Sequence, residues 1–373
     1  MLKFRREFGE ARLYSPPDFK LETQIVEYRF DPLTGVRSRI NVKRALRPIQ
    51  VEAGIDMAEF IERTRANCPF CPENIERSTP LFTEDVWRNG RIRNGCYVFP
   101  NRYPFAEYHA VATITSKHFL ELDEFTPEMI AENMLACIRY ASIVNERHLD
   151  VKYPLWLWNH LPSAAASIIH PHTQIIVDRK PTIQQKLLLD RSRRYFNRTG
   201  RCYWTDLIEA ERDGDRWIGE GKYVAVIACF APQANREVQI IFKDACSLPD
   251  IGRNEVGELA YFLSLILRFY RMNGVNSFNV STFSAGIGES LKYYRLNVKI
   301  ASRPYFRPYY TAYGGVLEIW HGECVSETLP EDIAHNLRKY LANPTSQTPT
   351  HTLKPNSSQS SINPRIRQTY KPA

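Results

Sequence analysis

Residues 168–177 read Ile168-Ile169-His170-Pro171-His172-Thr173-Gln174-Ile175-Ile176-Val177. Their β-branched flanks predict a strand, and strand alternation sets His170, His172 and Gln174 on one face. Pro171 has no N–H to give to a ladder, so it puts the histidine pair at the start or edge of that strand. Two imidazoles and an amide on one face of an apolar strand cost free energy unless they find partners. A single histidine there is ordinarily a satisfied core residue. A His-Pro-His-x-Gln cluster points to a site.

Outward from this strand the chain repeats itself. Thr126 reads as an N-cap, Pro127 as the first helical position, and Ile130, Met134, Cys137, Ile138 and Ala141 recur at helical spacing. A helix is therefore predicted from Thr126 to His148. A second, from Asn254 to Met272, carries Leu259, Phe262, Leu263, Ile266 and Leu267, with Gly274 as its stop. Strand-like pairs flank both: Cys96–Asn101 and Ala110–Thr115 before the first, Leu155–Asn159 and Ile168–Val177 after it. Tyr223–Phe230, Glu237–Phe242, Phe278–Thr282 and Tyr294–Ile300 stand likewise around the second. Closely spaced strand pairs favour antiparallel pairing over a doubly wound sheet. The expected fold is α+β, a duplicated domain with two antiparallel sheets, each with a long helix. The halves span 1–180 and 181–342, with a basic helical or loop segment, Gln184 to Arg201, between them. Residues 343–373, rich in Ser, Thr, Pro, Asn and Gln, are expected to be a disordered tail.

Composition narrows the class. With 373 residues, 43% apolar and 12% aromatic, the chain is not wholly disordered. No apolar run approaches the ~20 residues of a membrane span. The N-terminus has basic residues without an apolar stretch behind them, so no secretory signal and no membrane partner are expected. Eight cysteines are too sparse for a disulfide scaffold, and a reducing cytoplasm is the expected compartment. The net charge of +8 invites a nucleic-acid partner. Its distribution argues against one. Residues 343–373 hold four bases and no acid, residues 1–50 eleven bases and six acids, so the body between is close to neutral.

Cys68-Pro69-Phe70-Cys71 could present two thiolates to one ion, for which zinc is the default. With no second C-x-x-C, two histidines would have to complete such a site; His109, His118 and His170 are the plausible donors.

These residues resemble a known family. Cys68-x-x-Cys71, Asn101-Arg102-Tyr103-Pro104, Ser116-Lys117-His118 and Asn159-His160-Leu161-Pro162-Ser163-Ala164-Ala165-Ala166-Ser167 leading into His170-Pro171-His172-Thr173-Gln174 look like galactose-1-phosphate uridylyltransferase, the transferase branch of the histidine-triad superfamily. The resemblance covers about residues 30 to 340. It implies a duplicated α+β fold and a zinc ion held by Cys68, Cys71, His118 and His170. It implies His172 as nucleophile, Gln174 and Ser167 on the phosphoryl oxygens, and Asn101 and Asn159 on the nucleotide. Asp31-Pro32-Leu33-Thr34-Gly35 also matches, and the cations that follow would suit a diphosphate, with Arg44 and Arg47 as the phosphate contacts.

The implied activity is nucleotidyl transfer in carbohydrate and galactose metabolism. A nucleoside monophosphate, UMP in the first reading, moves between a nucleotide sugar and a sugar 1-phosphate through a nucleotidyl-histidine, as in UDP-glucose–hexose-1-phosphate uridylyltransferase. An ADP-glucose phosphorylase using inorganic phosphate, a nucleotide hydrolase and a non-catalytic nucleotide-binding protein are the alternatives. A homodimer is implied. Two departures matter. Tyr293 to Lys299 contains no histidine where some members hold a second metal, and Leu329 falls where galactose-specific members carry glutamine.

Overall fold

The Thr126 hydroxyl accepts from the Met129 N–H at 3.3 Å, and Pro127 occupies the first turn, where no intrahelical donor is needed. The long helix accordingly starts at the predicted residue. The computed structural model describes residues 2–47, 56–93, 95–307, 312 and 314–342. The predicted tail, 343–373, lies outside them.

Strands β1 (Arg5–Ser15), β2 (Lys20–Phe30) and β3 (Arg37–Ile40) come first, followed by helices α1 (Met57–Arg65) and α2 (Pro72–Ser78). Next come β4 (Ile92–Arg93), β5 (Tyr97–Pro100), β6 (Tyr108–Thr113), α3 (Pro127–Arg147), β7 (Tyr153–His160) and β8 (His172–Asp178). Helices α4 (Ile183–Thr199) and α5 (Tyr203–Glu211) make the connection. The series then recurs as β9 (Trp217–Glu220), β10 (Val224–Ala228), β11 (Val238–Phe242), α6 (Arg253–Met272), β12 (Phe278–Phe283) and β13 (Asn297–Ser302). Helix α7 (Val316–Ile319), β14 (Cys324–Ser326) and α8 (Pro330–Ala342) end the described chain.

The duplication is complete in topology. One sheet runs β4-β5-β6-β8-β7-β12-β13-β11-β10-β9, so each half supplies five strands in mirrored order. All neighbours in it are antiparallel. The α+β expectation holds, with one addition: the two half-sheets meet along β7 and β12 as a single ten-stranded sheet. At that seam Asn159 pairs with Asn279, whose side-chain N–H donates to the Asn159 side-chain oxygen at 2.7 Å. A smaller sheet, β1-β2-β3-β14, is closed by a parallel pairing of β3 with β14.

Alternation decides which face is core. Val98, Ala110, Ala112, Ile175, Val226, Ile240 and Val298 point to the face covered by α3 and α6. On the other face the halves differ. Leu188, Trp204 and Leu207 of α4 and α5 cover Ile227 and Ile241 of the second half. In the first half, that face carries Phe99 and Val111 against the Cys68–Cys71 turn and then opens into a cleft. The small sheet is held to α8 by a buried ion pair: Arg29, 1% exposed, donates to Glu27 and to both carboxylate oxygens of Glu331 at 2.9 and 3.0 Å. Among the described residues no helix is long and apolar enough to cross a membrane.

Candidate active site

The predicted strand 168–177 begins at His172, because Pro171 cannot donate to the ladder and the chain bends there. That bend separates the two histidines. His170 turns toward the Cys68–Cys71 turn, while His172 stands on the cleft side of β8 with Gln174.

Four donor atoms from Cys68, Cys71, His118 and His170, all buried, lie within 4.8 Å of one another. The Cys71 sulfur is 3.3 Å from Nδ1 of His118 and 3.6 Å from Nδ1 of His170, and the Cys68 sulfur is 3.8 Å from the latter. Around a tetrahedral zinc, ligand atoms at ordinary bond lengths stand about 3.6 Å apart. The opposite ring nitrogens are occupied. Nε2 of His170 lies 2.9 Å from the Thr115 carbonyl oxygen, and Nε2 of His118 lies 3.0 Å from the Thr64 hydroxyl on α1. An Nε2–H donated outward leaves the Nδ1 lone pair facing the sulfurs, the arrangement a metal-bound histidine needs. Two buried thiols and two neutral imidazoles so placed fit a divalent cation. Without a cation, burial pushes the Cys71 thiol up to about 12, with Cys68 adding to the effect, and burial holds His170 down at about 4. His109, the rival donor, lies elsewhere, against Gln174.

His172 is itself buried, with Phe70 of the C-x-x-C turn set edge-on against its ring at 5.3 Å between centroids. Its Nδ1 is 2.7 Å from the His170 carbonyl oxygen. A carbonyl only accepts, so the proton sits on Nδ1 and the lone pair on Nε2. Burial lowers the imidazole pKa, which keeps the ring neutral and nucleophilic. The cleft in front of it has a volume of about 310 Å³ and is lined by Asn101, Ser167 and Gln174 among others. Ser167 reaches it because Leu161 and Ala165 adopt φ values of 68° and 69°, folding the loop after β7 back on itself. Gln174 accepts at 2.8 Å from His109 and at 3.4 Å from the side-chain N–H of Asn101.

The structure thus gathers His172, Gln174, Asn101 and Ser167 around one cleft. Asn159 stands at the seam, bonded to Asn279. Arg44 and Arg47 lie off the cleft, at the end of β3. Arg47 is ion-paired with Glu327, and the neighbouring Arg37 and Arg39 share Glu323. Sequence reading does not single out His109 and Phe70 as partners of His172 and Gln174. The one available signal was that His109 and Val111 alternate on a strand.

The comparisons fit this geometry. The ADP-glucose phosphorylase of Arabidopsis thaliana, solved with bound ADP-glucose, superposes with a TM-score of 0.67 at 21% identity, covering 84% of this chain and 98% of that one. A uridylyltransferase structure superposes at 0.62 and 20% identity, with the same coverages. The chain has the galactose-1-phosphate uridylyltransferase fold. In sequence, an uncharacterized protein of Archaeoglobus fulgidus is 29% identical over 343 residues, 91% of this chain and 98% of that protein. The A. thaliana ADP-glucose phosphorylase is 25% identical over 352 residues, 86% of this chain and 94% of that protein. No family model matches the sequence. A uridylyltransferase fold with an intact His-Pro-His-x-Gln strand keeps both the metal-type cluster and a free imidazole in one chain.

Proposed function

We propose that this chain is a nucleotidyltransferase that splits a nucleotide sugar through a covalent nucleotidyl-His172 intermediate. The observation that carries this reading is a buried, neutral His172 whose Nδ1 is tied to the His170 carbonyl and whose Nε2 lone pair is left for attack on a bound ligand. Nε2 forms a bond to the α-phosphorus, and the bond from that phosphorus to the bridging oxygen breaks. Sugar 1-phosphate leaves with the electron pair. The ring becomes cationic, and the His170 carbonyl dipole at Nδ1–H stabilises the new charge. An acceptor phosphate oxygen then attacks the same phosphorus, the N–P bond breaks, and neutral imidazole returns. Gln174 and Ser167 would donate to the phosphoryl oxygens as charge shifts onto them, and Asn101 would hold the nucleotide. Zinc at Cys68, Cys71, His118 and His170 would supply rigidity, fixing the turn from which His172 projects.

Two donor–acceptor pairs suit this chemistry: UDP-glucose with a hexose 1-phosphate, and ADP-glucose with inorganic phosphate. Phosphorolysis is favoured by the similarity to an ADP-glucose phosphorylase over most of both chains and by Leu329 in place of glutamine. We place the enzyme in a reducing cytoplasm, which suits its eight unpaired cysteines, and as a homodimer. The test is incubation with ADP-glucose or UDP-glucose carrying a labelled α-phosphate, with and without acceptor. Acid-labile label on the wild type and none on His172→Ala is the expected result; equal labelling of both overturns the assignment.

A further inference from the structure

Gln174 can face a ligand with either end of its amide, and only the N–H2 end suits a phosphoryl oxygen. We propose that His109 is a positioning residue that fixes the Gln174 amide with its oxygen inward and its N–H2 toward the cleft. The inference rests on the nucleotidyl-transfer reading above, in which Gln174 meets phosphate.

His109 is 3% exposed on β6 and reaches the side chain of Gln174 on the neighbouring β8. Its Nε2 lies 2.8 Å from the Gln174 Oε1. On its own that contact is ambiguous, because exchanging the amide ends and moving the ring proton gives an equally good hydrogen bond. The main chain breaks the symmetry. The Phe105 N–H, a donor that cannot exchange roles, points at Nδ1 of His109 at 3.4 Å. Nδ1 must then accept, Nε2 must carry the proton, and the atom facing it on Gln174 must be the oxygen. The Asn101 side chain completes the cluster: its oxygen is engaged by the Tyr103 N–H at 2.9 Å, so its N–H2 end lies 3.1 Å from His109 Nε2 and 3.4 Å from Gln174 Oε1, and with the proton on Nε2 only Oε1 can accept from it. Phe105 closes over the imidazole, with ring centroids 4.2 Å apart. Burial also lowers the His109 pKa, which keeps the ring in the neutral form with one donor and one acceptor. With Oε1 engaged on two sides, the Gln174 N–H2 is what remains for the cleft.

The second half arranges the corresponding strands differently. Val111 stands opposite Gln174 on β6 and β8, and Gln239 stands opposite Lys299 on β11 and β13. There Lys299 is ion-paired with Glu237 at 2.6 Å, on the face that α4 and α5 cover, so its charge is balanced within the protein. In the first half, a neutral pair leaves a donor free.

The test uses the full chain with ADP-glucose and UDP-glucose as labelling substrates in single-turnover self-nucleotidylation. His109→Leu should slow labelling by about 10- to 100-fold, somewhat less than loss of a direct oxyanion donor, with little change in KM. His109→Gln, whose amide N–H can reach the position of Nε2–H, should recover most of the rate. In a Gln174→Ala background, His109→Leu should change the rate by no more than about 2-fold, because the two residues act as one unit. An equal loss in both backgrounds, or no recovery by His109→Gln, overturns the proposal. Nitrogen-15 imidazole spectra of the ligand-free protein should place the His109 proton on Nε2, and a proton on Nδ1 overturns it without reference to turnover. Absence of labelling in the wild type with every nucleotide sugar would instead remove the transferase reading, leaving the spectra to decide the His109 tautomer.

Discussion

Nδ1 of His172 lies 2.7 Å from the main-chain oxygen of His170, so the residue that closes the metal-type cluster also sets the tautomer of His172. His172→Ala should lower nucleotidyl transfer by on the order of 1,000-fold or more, as loss of a covalent nucleophile does. Steady-state phosphorolysis of ADP-glucose measures it. A residual rate within 10-fold of wild type would refute the assignment.

Gln174→Ala should cost about 100-fold in kcat with KM for the nucleotide sugar nearly unchanged, because the donor matters most when charge moves onto the phosphoryl oxygens. A change confined to KM would show that Gln174 only binds the ground state.

A divalent ion at Cys68, Cys71, His118 and His170 must displace thiol protons. Burial holds the Cys71 thiol up at about 12 and keeps His170 neutral down to about 4, so across the neutral range the Cys71 proton competes with the ion. With that proton released on binding, metal affinity should fall by about 10-fold or more for each pH unit lowered. Titration with a competing zinc chelator at pH 6, 7 and 8 reads that slope, and a flat profile would exclude thiolate ligation. Chelation at neutral pH should also lower Tm by on the order of 5 °C or more.

Lys299→Met should destabilise the chain by about 3 kcal/mol, since it leaves the Glu237 carboxylate buried without its cation. Adding Glu237→Gln should return part of that loss. Urea unfolding of both variants provides the check; an unchanged midpoint would mean that water solvates the Glu237 carboxylate in place of Lys299.

Much of this was legible along the chain because the signals were local. Thr126, Pro127 and the spacing of Ile130, Met134 and Cys137 mark a helix start within a few residues. The Cys68–Cys71 turn and the His170–His172 alternation likewise state their chemistry over short spans. What stayed hidden depends on residues brought together from far apart. The Arg29–Glu331 pair joins the two ends of the described chain, and the seam between β7 and β12 is set by register, which no single segment encodes. The partnership of His109 with Gln174 was missed for the same reason. Along the chain His109 reads as a plausible metal donor, and only the pairing of β6 with β8 shows that its ring faces an amide instead.

The seam has a consequence for how the two repeats can be separated. Severing the chain within the α4–α5 connection would turn β7 and β12 into bare sheet edges, each with a row of unmatched backbone donors and acceptors beside large apolar side chains such as Trp158 and Phe278. Such fragments would re-pair or aggregate rather than remain as soluble halves. The second repeat thus serves as the permanent edge cover of the repeat that carries His170 and His172.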